Sequence, residues 1–194
     1  MKIAFRDEDY LILDDIFSAP EFEEIRKLFF AEDLKLVGHF DAKAFSVADG
    51  VAYRAGPHTF SMRSGTASHI GNGTRFLPFI QKIVSVQKEH FPLTYENVGV
   101  TPWCYTQGTG LTWHNDAGPG YEGSYVFYVH SEWRATWGGQ LLIAKNESDG
   151  RYFYPKPNRL VLMRRGVPHS IQRVDTNAGE NCRLSLSGFF LRMV

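Results

Sequence analysis

The stretch Cys182-Arg183-Leu184-Ser185-Leu186-Ser187-Gly188-Phe189-Phe190 decides how the rest of the chain is read. It alternates with a period of two, which is the signature of a β-strand. Leu184 and Leu186 fall on one face, and Arg183, Ser185 and Ser187 on the other. Such a strand either lines a polar pocket or faces solvent with an ordinary surface Arg. In a pocket, the planar guanidinium fork grips a carboxylate through two hydrogen bonds.

Five further segments read as strands: 97–106, 123–130, 140–145, 159–164 and 168–174. Short turns containing Gly, Pro or Asn separate them, and two helices precede them. Residues 10–17 add a short strand candidate near the start. Ser18 followed by Glu21 is a capping box, and Pro20 suits a first helical turn. The first helix is therefore expected over about 20–30, with Phe22, Ile25, Leu28 and Phe29 as its buried stripe. A second is expected over 77–89 with Phe79, Ile80, Ile83, Val84 and Val86 inward, ended by Phe91-Pro92. Helices followed by short antiparallel strands imply a mainly β fold with supporting helices, a sandwich or jelly roll buttressed on one outer face. Residues 40–74, interrupted by five glycines, read as loops with one or two irregular strands, the pattern of an active-site rim. One domain over 1–194 is expected, with support and lid over about 1–95 and the jelly-roll core over about 96–194.

Composition narrows the function classes. The 21 Lys and Arg balance 21 Asp and Glu. A neutral chain lacks the basic excess that nucleic-acid or anionic-membrane binding calls for. Cys104 and Cys182 are too few for a disulfide framework and are expected as reduced core residues. The first ten residues carry five charges and no apolar core, unlike a secretory signal. No run approaches the ~18 apolar residues of a membrane span. A cytoplasmic protein with no membrane and no nucleic-acid partner is expected, its oligomeric state left open. Aromatics at 14% with 18 Gly favour β-structure with tight turns.

The chemistry-bearing residues lie in Leu111-Thr112-Trp113-His114-Asn115-Asp116 and in Gly166-Val167-Pro168-His169-Ser170-Ile171. Two His and one carboxylate are the ligand set of the facial triad for non-haem Fe(II). In an extended chain, residues i and i+2 share a side, so His114 and Asp116 are expected to bind one ion as a pair. His169 would join them from a distant strand. Taken singly, His-x-Asp also fits an exposed turn His beside a turn-forming Asp.

The order His114-x-Asp116, His169, Arg183 resembles the 2-oxoglutarate/Fe(II)-dependent dioxygenases, in particular the prolyl-4-hydroxylase-like branch. The resemblance covers about 97–191. It implies a double-stranded β-helix (jelly roll) with His114, Asp116 and His169 as iron ligands. It also implies that Arg183 binds the far carboxylate of 2-oxoglutarate, helped by Ser185 and Tyr105. Trp137-Gly138-Gly139-Gln140-Leu141 matches the family's Gly-Gly turn. The branch often carries Lys where Arg183 stands. Asp116 argues against a halogenase, which leaves that position open for chloride. The implied co-substrates are 2-oxoglutarate and O2, with ascorbate admitted as an accessory reductant. The implied reaction hydroxylates an unactivated C–H bond of a small molecule or amino acid and releases succinate. A peptide side chain is the alternative substrate, and a cupin-like metal-binding protein without oxygenase activity is the alternative of another class. Trp113, Tyr128 and Trp137 are candidate aromatics around the site. Arg54, Arg63 and Arg75 are candidate substrate contacts from the lid.

Overall fold

The computed structural model describes residues 1–36, 48–49, 53–55, 59–62 and 73–192. Among them the chain forms β1 (Lys2–Arg6), β2 (Tyr10–Asp14), α1 (Ala19–Phe30), β3 (Lys35–Leu36), β4 (Ala48–Asp49), β5 (Tyr53–Ala55), β6 (Thr59–Met62) and α2 (Leu77–His90). There follow β7 (Asn97–Tyr105), β8 (Gly110–His114), β9 (Tyr121–Tyr128), β10 (Leu141–Ala144), β11 (Gly150–Phe153), β12 (Arg159–Arg164), β13 (His169–Ile171) and β14 (Arg183–Leu191). The larger sheet runs β1-β2-β12-β9-β14-β7-β5-β3, with β6 also on β7, and the smaller runs β11-β10-β13-β8-β4. Every pairing between named strands is antiparallel. The two sheets face one another as the double-stranded β-helix that the sequence suggested.

Side-chain parity on the central strands builds two cores. On β9 and its continuation, Tyr125, Phe127 and Val129 enter one cluster with Phe22, Ile25, Phe79 and Ile83 of the helices. Val126 and Tyr128 enter the other, with Leu141, Ile143 and Ile171 of the smaller sheet. Phe17 and Phe79 lie 5.4 and 5.3 Å from the Phe127 ring, so this one side chain joins helix and sheet. Each such buried side chain contributes roughly 1.5–3 kcal/mol.

α1 begins where the capping box placed it. The Ser18 N–H and hydroxyl donate to one Glu21 oxygen at 2.8 and 2.6 Å. Leu28 is only half-buried, whereas Phe22, Ile25 and Phe29 are fully so. α2 ends before Phe91-Pro92, with Gln87 Nε2 donating to the Phe91 carbonyl. Cys104 is buried as expected; Cys182 is half-buried, and neither forms a disulfide.

Three features depart from the sequence reading. β2 is interior, between β1 and β12, and buried along its whole length. The N-terminal strands therefore extend the main sheet instead of buttressing it. β11 was missed because Gly-Arg-Tyr-Phe at an exposed edge carries no apolar alternation. β13 is shorter than the 168–174 expected, since its pairing with β8 is irregular between His169 and Ile171. Most of the candidate lid, including Arg63, lies outside the described residues, and nothing is described of the Arg54 side chain. Arg75 is described. It donates to the Ala31 carbonyl and the Glu32 carboxylate, both at 3.1 Å, and so braces the end of α1.

Candidate metal centre and carboxylate pocket

β8 ends at His114, β13 begins at His169, and these two residues are register partners across the smaller sheet. Each imidazole is fixed in the same way. Nδ1 of His114 lies 2.7 Å from the Thr112 carbonyl, and Nδ1 of His169 lies 2.8 Å from the Val167 carbonyl. A carbonyl only accepts, so Nδ1 carries the proton in both rings. Nε2 is left as the nitrogen that binds a metal or a second proton.

Asp116 completes the group. Its two oxygens lie 3.8 Å from His114 Nε2 and 3.3 Å from His169 Nε2. One ligand atom from each of the three residues lies within 4.8 Å of the others. The extended i, i+2 geometry expected for His114 and Asp116 is not how they meet. The strand stops at His114, and Asp116 takes the left-handed conformation with φ of 49°. Asp is among the few residues that tolerate that region. The turn swings its carboxylate toward His169 on the neighbouring strand.

Protonation suits a divalent ion. Burial holds His114 below the ordinary imidazole range, helped by the neighbouring His169. Burial pushes the Asp116 carboxyl up. His169 at hydrogen-bonding distance and the charge of both imidazoles outweigh this and hold it below its usual range. A His114 imidazole that resists protonation and an Asp116 that ionises readily suit a metal, which binds the unprotonated nitrogen and the carboxylate.

A second set of residues lies deeper, across the sandwich. Arg183 is 0% exposed. Its Nε donates to the Gly139 carbonyl at 2.9 Å and one terminal nitrogen to the Tyr128 hydroxyl at 3.3 Å. The other terminal nitrogen, Nη1, is buried with no acceptor. The guanidinium carbon lies 5.2 Å from the Tyr105 ring centre and 4.9 Å from that of Tyr128. No carboxylate among the described residues pairs with it. A buried cation without a counter-charge costs several kcal/mol, which an incoming anion relieves.

Sheet register sets this arrangement. Tyr105 on β7 is the direct partner of Arg183 on β14. Ser185 follows on the same face, fully buried beside the same cavity. The Gly138-Gly139 turn brings the accepting carbonyl into place, with φ of 68° and 69° at the two residues. A Cβ on Gly138 would stand 2.3 Å from the Arg173 carbonyl oxygen, and one on Gly139 3.1 Å from Arg183 Cδ. The pocket face read from the 182–190 alternation is therefore the interior one.

One cavity of about 990 Å³ joins the two sets, lined by His114, Asp116 and His169, by Tyr105, Arg183 and Ser185, and by the remaining inward residues of β14. Trp113 lines it as well, but Trp137 does not; its ring packs on Trp133 instead. The sequence reading missed the Gly139 carbonyl and gave Tyr128 no role toward Arg183. The inward parity of Ser124, Val126 and Tyr128 on β9 was the available signal. His130 also went unassigned. It is buried, donates through Nε2 to the Pro155 carbonyl, and accepts from the Leu184 N–H through Nδ1 at 3.4 Å.

Residues 100–191 match the family model described as the 2OG-Fe(II) oxygenase superfamily. That segment carries the His114, Asp116 and His169 group together with Arg183. No curated protein matches the chain. Among solved structures, a Pseudomonas putida prolyl-4-hydroxylase aligns at 18% identity with a TM-score of 0.68, covering 96% of this chain and 94% of that one. A Trichoplax adhaerens prolyl hydroxylase in complex with a hypoxia inducible factor peptide fragment aligns at 14% identity and 0.62, covering 95% and 84%. HygX of Streptomyces hygroscopicus, with nickel, 2-oxoglutarate and hygromycin B bound, aligns at 12% identity and 0.59, covering 95% and 83%. At these identities the likeness shows the fold.

Proposed function

We propose, for a chain whose residues 100–191 match the 2OG-Fe(II) oxygenase superfamily, that it hydroxylates an unactivated C–H bond of a small molecule or amino acid. In this reading His114, Asp116 and His169 hold the iron, and Arg183, Tyr105 and Ser185 hold 2-oxoglutarate. The observation that carries it is the buried Arg183, with Nη1 lacking an acceptor, in the same cavity as the His-Asp-His group. When bound, the iron with 2-oxoglutarate and O2 supplies decarboxylation to succinate and CO2 coupled to oxidation of the substrate.

The protein's own work is placement. The Thr112 and Val167 carbonyls fix both imidazoles so that Nε2 faces inward. Two neutral imidazoles and one carboxylate leave a divalent ion with a net charge near +1, which favours an anionic co-substrate. Arg183 takes that co-substrate's far carboxylate through the nitrogen it does not spend on Gly139 or Tyr128. The Tyr105 and Ser185 hydroxyls are the neighbouring donors. Full burial of Arg183 and Ser185 keeps bulk water from the carboxylate end of the cavity.

In this proposal residues 96–194 form the catalytic core, and the earlier residues serve as support and lid. A peptide side chain is the second substrate reading, favoured by the likeness to the two prolyl hydroxylases. A cupin-like protein without oxygenase activity has no use for a buried, unpaired Arg183. The zero net charge weighs against a nucleic-acid substrate. No helix among the described residues is long and apolar enough to cross a membrane.

The deciding experiment is anaerobic titration of the Fe(II)-loaded protein with 2-oxoglutarate. A weak visible charge-transfer band is expected. Its absence with iron bound overturns the co-substrate assignment. Succinate release across a panel of compounds then identifies the substrate.

A further inference from the structure

Arg183 is held from behind by a segment that carries no part of the metal group. β9 ends at Tyr128, and the chain continues through His130-Ser131-Glu132-Trp133 toward the Gly138-Gly139 turn. His130 is 5% exposed, and its ring centre lies 4.8 Å from that of Trp133 with planes 39° apart. The two rings hold the surroundings of Arg183 at different points.

His130 acts on the backbone. The paired register of β9 and β14 runs out at Tyr128 and Ser185. Beyond it, the Leu184 carbonyl accepts from the Val129 N–H at 3.1 Å, and the Leu184 N–H donates to His130 Nδ1 at 3.4 Å. His130 Nε2 donates to the Pro155 carbonyl. A carbonyl only accepts and a peptide N–H only donates, so the ring is neutral with its proton on Nε2. That is the opposite tautomer to His114 and His169, which carry theirs on Nδ1.

Trp133 acts on the head group. Its indole N–H donates to the Gly138 carbonyl at 3.0 Å. Its six-membered ring closes on Gly139, where a Cβ would stand 3.2 Å from Cζ2. The next carbonyl, that of Gly139, is the one that takes Arg183 Nε at 2.9 Å. With Nε held there and one terminal nitrogen on Tyr128, the guanidinium plane is fixed and Nη1 is the nitrogen left over.

We infer that His130 and Trp133 are positioning residues for the grip on the far carboxylate of 2-oxoglutarate. His130 fixes the backbone from which Arg183 departs, and Trp133 fixes the turn whose carbonyl holds its guanidinium. This deepens the proposed function and rests on it. Neither side chain lines the cavity, so both act through Arg183. A preorganised charged donor binds an anion without first being ordered. Loosening either support lets the fork swing and weakens the hold on that carboxylate alone.

The test compares two ligands on the full chain loaded with Fe(II) under anaerobic conditions. One is 2-oxoglutarate. The other is 2-oxobutyrate, which keeps the 2-oxo acid end and lacks the far carboxylate. Each Kd is read from the charge-transfer band, and the Fe(II) Kd is a second control. His130→Gln retains a donor where Nε2 stands and loses the Nδ1 acceptor; His130→Asn does the reverse. Trp133→Phe keeps a ring and loses the indole N–H. His130→Gln and Trp133→Phe are expected to raise the 2-oxoglutarate Kd about ten-fold, while 2-oxobutyrate and Fe(II) move less than about three-fold. His130→Asn should bind all three like the parent. Parallel loss of both 2-oxo acids, an unchanged 2-oxoglutarate Kd in either variant, or Gln and Asn behaving alike overturns the inference. If Trp133→Phe folds poorly, the His130 pair decides; if the His130 variants do, Trp133→Phe decides. Failure of the proposed function shows separately, as an unchanged 2-oxoglutarate Kd in Arg183→Met or no band in the parent.

Discussion

His114 and His169 face each other across β8 and β13 with ring centres 4.2 Å apart. Two imidazoles at this separation, with Asp116 against both, are held close by the fold before any ion arrives. Metal binding is therefore expected to stabilise the protein instead of merely occupying it. Fe(II), or Mn(II) as a redox-quiet substitute, at one hundred times its Kd should add about 2.7 kcal/mol. Differential scanning calorimetry with and without metal measures this. His169→Ala should remove the metal-dependent rise in Tm, and a rise that persists argues against these ligands.

Arg183 leads to a prediction in which stability and binding move apart. Its charge is buried without a counter-ion, so Arg183→Met removes a cost as well as two hydrogen bonds. Relief of that buried charge offsets the loss of the two bonds, so the net change in stability should be small. The ligand-free variant should melt no more than a few degrees from the parent. Its apparent 2-oxoglutarate Kd, from the charge-transfer titration, should rise at least one hundred-fold. An unchanged Kd would reject the carboxylate role. Arg183→Lys keeps the charge but loses the fork and should fall between the two.

The adjacent glycines should fail in different ways. At Gly138 the intruding Cβ meets backbone that has no room to yield, so Gly138→Ala should destabilise by more than about 2 kcal/mol. At Gly139 the nearest atom is Arg183 Cδ, on a flexible side chain. Gly139→Ala, though also strained by its positive φ, should chiefly weaken 2-oxoglutarate binding by displacing the guanidinium. Urea unfolding and the 2-oxoglutarate titration, run on both variants, separate these outcomes.

Acid stability should carry the mark of His130. Burial, mainly, lowers its pKa to about 3, with the nearby Arg183 charge assisting. The unfolded chain takes up this proton near pH 6.5 and the folded chain only far lower. Its contribution is therefore intact above about pH 6.5 and is lost as pH falls toward 3, at roughly 1.4 kcal/mol per unit. His130→Gln should flatten the slope of unfolding free energy between pH 6 and 4. Asp14 acts lower in the pH range. Burial opposes its ionisation, yet bonds from Arg159 at 2.7 Å and Lys156 at 3.0 Å hold its pKa below normal. Its contribution is present above about pH 4 and is lost as pH falls through the lowered value.

Periodicity made the central architecture legible. The 182–190 alternation placed Arg183, Ser185 and Ser187 on one face, and they share one cavity. Helix α1 was readable because Ser18 and Glu21 make a local cap that needs no tertiary partner. What depended on distant contacts was not readable. β2 is an interior strand only because β12 lies beside it, and nothing in Tyr-Leu-Ile-Leu-Asp says so. Asp116 was chosen for the right spacing but on the wrong geometry, since a turn and not a strand brings it to His169. The Gly139 carbonyl escaped notice because a backbone acceptor leaves no trace in side-chain chemistry. The Gly-Gly pair was the only hint of it.

The place of β14 in the larger sheet has a consequence for how this protein is made. The last strand of the described chain is inserted between β9 and β7, in the middle of the sheet and not at its edge. During synthesis, everything before residue 183 emerges with two long, facing strand edges unpaired, the kind of surface that recruits other chains. Closure of the sheet and delivery of Arg183 to its pocket are then one event. A nascent or truncated chain lacking this segment would be an aggregation hazard, not a weaker enzyme.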